Sequence, residues 1–298
     1  MRAQNTGLGI WLMITTTLVF SVQDVFSRAL AQEYNVMMVL MIRFWFFGAF
    51  AVWLVARSPG GLRQVRGTRH LRLQILRGVI LAVEIVMMVT SFVVLGLVAS
   101  HAAFTAYPLA VAALSGPLLG EKVGWRRWVA IGIGFVGVLV ILRPGQAVFS
   151  VWALLPLGAA LLFAVYSLLT RYVSRDDPTG ISFFWTGVTT SLLLTLGGIW
   201  FWQPMTTDGW AVMAGLCLLG ALGHWLLIRA YEVAEASAIQ PFAYFQLVFI
   251  TLIGVGLLGE TVDPEVIVGT LIVVAAGLFT LWRARLREKV PPTDGAGP

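Results

Sequence analysis

Five ionisable side chains lie inside long apolar runs: Asp24, Arg43, Glu84, His101 and His224. A charge at the centre of a membrane helix costs roughly 2.5–3.5 kcal/mol on insertion scales. Such residues are retained where they pair with one another, bind a solute or carry protons. Asp24 and Arg43 fall at similar depth on two successive runs. That spacing permits a fixed ion pair, an outer gate or a contact to a solute carboxylate. Thr17, Ser21, Asp24 and Arg28 share one helical stripe, as residues three and four apart do. Glu84 sits mid-run, with Met87, Met88 and Ser91 following on its face. A carboxylate there suits proton coupling or the binding of a cationic group, and the thioethers suit an adaptable apolar pocket. A protonated packing residue is the plainer reading of Glu84.

His101 opens a run near the outer surface, where a solvated interfacial histidine is the first expectation and a solute contact the second. His224 lies deeper, with Gly220 and Tyr231 on its face, and suits solute contact or a proton relay. Tyr166, Trp185 and Tyr244 lie within spans, where some of them suit the wall of an aromatic cavity for a planar solute and a lipid-facing or packing role is the plainer reading of any single one. Trp11, Trp200, Trp202 and Trp210 lie near run ends and read as interfacial anchors. Pro108 and Pro241 interrupt two runs. Each removes a backbone hydrogen bond and frees a carbonyl, which in carriers lines a cavity or hinge. Three scattered histidines and one cysteine give no zinc-ligand spacing, so no metal and no cofactor are expected. The run Gly132-Ile-Gly134-Phe-Val-Gly137 spells a dinucleotide fingerprint, but it lies inside a span rather than after a strand. Its glycines read as helix-packing residues. A Walker A sequence is lacking, which argues against ATP drive within the chain.

These residues need a scaffold, and composition supplies it. The 298 residues are 59% hydrophobic and 11% charged, whereas a soluble domain carries about 25% charge. Residues 154–169 and 266–282 hold no charge at all. The chain reads as an all-α polytopic membrane protein. Ten spans are expected at about 8–28, 36–56, 72–95, 98–119, 125–142, 149–170, 180–201, 209–231, 237–258 and 265–283. The first is read as a retained helix, since it is too long for a signal peptide and lacks a small-residue cleavage site. Cys217 reads as a small buried apolar residue.

Charge sets direction. With a cytoplasmic N-terminus, all Lys and Arg except Arg28, Arg43 and Arg143 fall on the cytoplasmic side. Both termini are therefore expected in the cytoplasm, with the protein in the cell's inner membrane.

Two stretches reveal a duplication. LLGEKVGWRRW (118–128) closes the fourth span on the basic side. LLGETVDPEV (257–266) closes the ninth, where Glu260, Asp263 and Glu265 stand without Lys or Arg. Similar sequence at opposite faces implies a repeated unit with an odd number of spans, hence two inverted five-helix repeats over 8–143 and 149–283. Residues 20–28 and 163–171 match weakly in the same register. A disordered cytoplasmic tail is expected over 284–298.

On these residues the chain resembles the drug/metabolite transporter superfamily, in particular its ten-helix EamA-type carriers. The matching features are Leu118-Leu-Gly-Glu121-Lys-Val, the run 128–144, Ala230-Tyr-Glu-Val-Ala-Glu-Ala-Ser237, Pro241-Phe-Ala-Tyr244 and Leu258-Gly-Glu260, with Asp24 and Arg43. The resemblance spans roughly 8–283. It implies two EamA repeats and transport of small metabolites, in a family that includes carriers of amino acids, S-adenosylmethionine and riboflavin. Glu121 and Glu260 read as capping residues rather than solute contacts.

The function expected is secondary transport of a small organic metabolite by alternating access, with proton coupling an open option. The alternatives are a lipid flippase of the same fold and an intramembrane lipid-modifying enzyme. The enzyme would need clustered acids or histidines at the membrane surface, and the sequence offers none. Expected partners are a small-molecule solute and membrane lipid, with no nucleic acid. A homodimer is compatible with the sequence.

Overall fold

The computed structural model describes residues 5–120, 125–142, 151–262 and 264–288. It is all helical. In chain order the helices are α1 (Thr6–Glu33), α2 (Val36–Ala56), α3 (Leu71–Leu95), α4 (Leu97–Phe104), α5 (Tyr107–Leu119), α6 (Trp125–Leu142), α7 (Leu154–Val173), α8 (Thr179–Gly198), α9 (Thr207–Val233), α10 (Ala236–Ala243), α11 (Phe245–Leu258) and α12 (Pro264–Glu288). A 3-10 helix at Gly61–Gly67 links α2 to α3. In a bilayer every backbone polar group must be satisfied within the chain, which favours this architecture.

Local chemistry fixes the ends. The Asn5 side chain accepts from the Leu8 N–H at 2.9 Å and starts α1. Asn35 does the same for α2 through the Met38 N–H at 2.8 Å, and Thr206 for α9 through the Gly209 N–H at 3.1 Å. Gly120 and Gly259 end α5 and α11 in the left-handed region, with φ of 72° and 67°. Glycine takes that conformation without the Cβ penalty.

Two spans are interrupted, and in the same way. An eight-residue helix precedes the break in each: α4 before α5, and α10 before α11. In the first, Ala106 N–H turns back to the Ala103 carbonyl at 3.2 Å. Pro108, in the first turn of α5, has no N–H to offer the Phe104 carbonyl. In the second, Pro241 lies inside α10 and the break falls at Tyr244, where Leu247 N–H closes a tight turn at 3.1 Å.

Counting each broken pair as one, eight spans among the described residues are long and apolar enough to cross a membrane. They are α1, α2, α3, α4–α5, α7, α8, α9 and α10–α11. Helices α6 and α12, which complete the expected ten, pack against each other. Helix α12 runs on to Glu288, so residues 284–288 continue a helix where a tail was expected. Residues 289–298 and Glu121 lie outside the described residues.

The two halves interleave. Helix α1 packs against α9, α2 against α8, and α3 against α7 and α8. Without a hydrophobic drive between helices in lipid, close packing has to supply the attraction. A Cβ on Gly9 would lie 2.4 Å from the Ala234 Cβ, so α1 reaches the end of α9 only because residue 9 has no side chain. The Asn5 N–H adds a bond to the Val233 carbonyl there, at 2.8 Å. Of the glycine triplet 132–137, Gly134 is held against Leu109 while Gly132 faces open space. Aromatic side chains at helix ends point outward, with Trp11 71% and Trp200 83% exposed.

Candidate functional site

A cavity of ≈ 430 Å³ opens where α1, α2, α3, α4, α7, α9 and α11 converge. Asp24, Arg43, Glu84, His101 and His224 all line it. The five ionisable residues scattered over two hundred positions thus share one enclosure. Its apolar wall comes from both halves and includes Phe20, Phe92, Phe104 and Phe163.

The polar groups form a chain. The Arg43 guanidinium, 1% exposed, donates through Nη2 to Gln23 Oε1 at 2.9 Å. Gln23 Nε2 donates to Asp24 Oδ1 at 3.0 Å. Asp24 Oδ2 faces His101 Nε2 at 3.1 Å. Gln246 Nε2 lies 3.4 Å from both Asp24 Oδ2 and His101 Nε2. Asp24 and Arg43 are therefore joined through an amide, and no direct ion pair links them. Arg43 also stands 5.2 Å from the Phe44 ring centroid. A cation over an aromatic face gains electrostatic stabilisation.

His101 is 2% exposed, which corrects the expectation of a solvated interfacial histidine. The physical reason lies in α4, whose start is covered rather than open to water. Glu260, from the turn after α11, accepts from the Leu97 N–H at 3.1 Å and the Val98 N–H at 3.0 Å. It also pairs with Arg28 of α1. One carboxylate thereby caps α4 and ties both halves together over the cavity's end, the capping role expected of it.

His224 is packed among rings rather than hydrogen-bonded. It stacks on Phe47 with centroids 5.3 Å apart and meets Phe20 edge-on at 5.3 Å. Its two ring nitrogens find no partner among the described residues. Glu84, near the middle of α3, lines the cavity with Met88. Met87 instead turns toward Gly158 of α7. Tyr244 lies beside His101 in a smaller adjoining space of ≈ 210 Å³, which Pro108 also lines.

Two expected cavity residues lie elsewhere. Trp185 donates through Nε1 to the Val65 carbonyl at 3.1 Å and pins the 3-10 link, so it does not wall the cavity. Tyr166 is fully buried, with the Arg77 guanidinium 5.1 Å from its ring centroid. It belongs to a second polar cluster at the opposite end. There Arg77 Nε donates to Thr170 Oγ1 at 2.9 Å and Gln74 Nε2 to Asp177 Oδ2 at 2.8 Å. Thr68 also bonds to Asp177, and Arg77 to Gln74. Reasoning from charge alone passed over Gln23 and Gln246. Their signal was an amide inside an apolar run, beside Asp24 in one case and just past the Pro241 break in the other.

Ionisable groups gathered from many membrane-length helices around one cavity define a polytopic, solute-handling membrane protein. The chain belongs to the EamA-like transporter family, which matches residues 7–143 and again 150–282. A riboflavin transporter of Vibrio cholerae is 36% identical over 183 residues, and the match spans 60% of each chain. An S-adenosylmethionine uptake transporter of Rickettsia prowazekii is 24% identical over 279 residues, 92% of each chain. A solved crystal structure superposes with a TM-score of 0.73 over 94% of this chain and 99% of that one. At 15% identity that likeness is one of fold alone.

Proposed function

We propose that the chain is a secondary carrier that moves a small organic metabolite across the cytoplasmic membrane by alternating access. The observation that carries this reading is the cavity, built from both halves and lined by Asp24, Arg43, Glu84, His101 and His224. Phenylalanine walls with amide, acid and guanidinium groups suit a planar solute with a hydrogen-bonding edge. Riboflavin, named for one relative, carries such a planar ring system, and S-adenosylmethionine, named for the other, carries one in its adenine.

In this reading α6 and α12 complete ten spans. The two family repeats lie inverted in the membrane, with both termini cytoplasmic. The Arg28–Glu260 end then faces outward, and the Gln74–Asp177 end faces the cytoplasm. The basic loops after α2 and α5 support that orientation. The solute binds between the repeats, and rocking of one against the other exposes it to each side in turn.

The test is a thermal-shift screen of the purified protein against riboflavin, S-adenosylmethionine, amino acids and quaternary amines. A ligand that binds the folded state at a hundred times its Kd adds about 2.7 kcal/mol of stability. One chemical class should raise the melting temperature, and Glu84→Gln or His224→Ala should remove the gain. Stabilisation by lipid alone, with no soluble solute effective, would overturn the carrier reading in favour of lipid translocation.

A further inference from the structure

The hydrogen bonds of His101 count its protons. Its Nδ1 lies 3.0 Å from the Leu97 carbonyl oxygen. A carbonyl oxygen only accepts, so Nδ1 must carry a hydrogen. Its Nε2 lies 3.1 Å from Asp24 Oδ2. A neutral imidazole has a single N–H, and Leu97 has already taken it. With Asp24 ionised, two lone pairs would then face each other 3.1 Å apart in a buried place, with only the Gln246 amide, at a longer 3.4 Å from each, to donate between them. One further proton closes the contact. It lies either on the ring, giving imidazolium and carboxylate, or on the carboxyl group, giving acid and imidazole.

The surroundings leave this proton a distinct task. Asp24 Oδ1 already accepts from Gln23 Nε2, and the Arg43 guanidinium is joined to Asp24 through that amide. Besides Arg43 from α2, the ionisable groups facing the shared cavity are Glu84 from α3 and His224 from α9. Helices α7 and α11 present Phe163 and Gln246, which carry no charge. Tyr107 and Tyr244 face His101 in the adjoining space. Arg28, one turn beyond Asp24, is engaged by Glu260. A buried carboxylate without a directly paired cation is costly, and the proton shared with His101 removes that cost.

We propose that the Asp24–His101 pair is a proton-binding site that holds one proton more than neutral imidazole and carboxylate when α1 and α4 meet, and gives it up when they part. Leu97 ties this to closure, because its N–H is held by Glu260 while its carbonyl fixes the His101 ring. Occupancy of the pair by a proton stands on this geometry alone. Its further consequence, that this proton is the coupling ion, rests on the carrier reading above.

The experiment is nitrogen-15 NMR of the full chain in lipid nanodiscs with labelled histidine. The sequence has three histidines. His101 is assigned by loss of its signals in His101→Gln, or by subtraction with His70→Gln and His224→Gln should that variant not fold. At neutral pH the expected result is a ring with both nitrogens protonated. Equally supportive is a ring protonated at Nδ1 alone beside a carboxylic-acid infrared band that Asp24→Asn abolishes. In Asp24→Asn the ring should become neutral and keep its Nδ1 proton. A wild-type ring neutral with its proton on Nε2, or neutral beside an ionised Asp24, would overturn the proposal. The two readings fail separately. A protonated pair in a protein that no soluble solute stabilises removes the carrier and keeps the proton site. An unprotonated pair in a protein stabilised by riboflavin does the reverse.

Discussion

Gly223 of α9 faces Phe20 of α1 so closely that a Cβ would stand 2.3 Å from the ring. Phe20 in turn supports His224. Gly223→Ala therefore has to push this ring or part the helices, and overpacking of this kind costs about 1–3 kcal/mol. A lower melting temperature and weaker solute binding are expected together. Gly132→Ala is the matched control, since nothing lies within 4 Å of the added atom. It should be neutral or gain about 0.4–1 kcal/mol through the unfolded state. A second expectation concerns the loop before α8, where His70 Nε2 lies 2.7 Å from Asp176 Oδ2. That hydrogen bond holds the Asp176 carboxyl below the ordinary aspartate range, helped by the charges of His70, Arg69 and Arg175. A carboxyl lowered in the folded state stabilises above its unfolded value and loses that contribution as pH falls through the folded one. Asp176→Asn should flatten the acid limb of melting temperature against pH, and an unchanged limb would remove Asp176 from the account. At this scale the charged residues were legible because charge is rare in apolar runs. Asp24, Arg43, Glu84 and His224 needed no more than that. His101 was misjudged because its position near a helix start says nothing of what covers the start. For Trp185 the packing alternative is the one found, and helical facing alone cannot tell a cavity from a neighbouring loop carbonyl.

Helices bring those residues together, and the broken spans are the most informative elements. Pro108 and Pro241 announced the interruptions in the sequence. Where each break falls depends on turns that no single residue dictates: Ala106 beside Pro108, but Tyr244 three residues past Pro241. The partner of the α4 start was not legible either, because Glu260 comes from 163 positions away in the chain. Its three bonds make an ordered prediction. Glu260→Ala leaves two backbone N–H groups and Arg28 without their acceptor, and each such loss costs about 1–3 kcal/mol. Arg28→Ala removes the ion pair and leaves the cap. Melting temperature should fall further for Glu260→Ala than for Arg28→Ala, with Glu260→Gln between them, since an amide oxygen still accepts. Equal losses would mean that the ion pair alone holds this end.

At the scale of the whole molecule, unlike devices hold its two ends. One end uses the Glu260 carboxylate on a helix start. The other uses the network in which Asp177 accepts from Gln74 and Thr68. Asp177→Ala should loosen only the second. A cysteine placed at Ser182, which also bonds Gln74, would report it in a Cys217→Ala background. Its labelling by a water-soluble maleimide should speed several-fold, while a cysteine at Ser27 near the other closure should slow or stay unchanged. Faster labelling at both would indicate general loosening rather than opening at one end. The duplicated plan behind this was legible from the pair of Leu-Leu-Gly-Glu stretches alone.

Helices α4 and α10 correspond residue for residue, which sets His101 against Gln240. The matching of 20–28 with 163–171 sets Asp24 against Ser167. The histidine and carboxylate of one half thus answer to an amide and a hydroxyl in the other, where Gln240 donates to the Tyr231 hydroxyl. Two interchangeable halves would make a turnstile as ready to spin one way as the other. At these matched positions only one half can change its charge, while the ionisable group that the other half brings to the cavity, His224, stands elsewhere on α9. The duplication supplied the frame twice, and two differing residues within it make its halves chemically unlike.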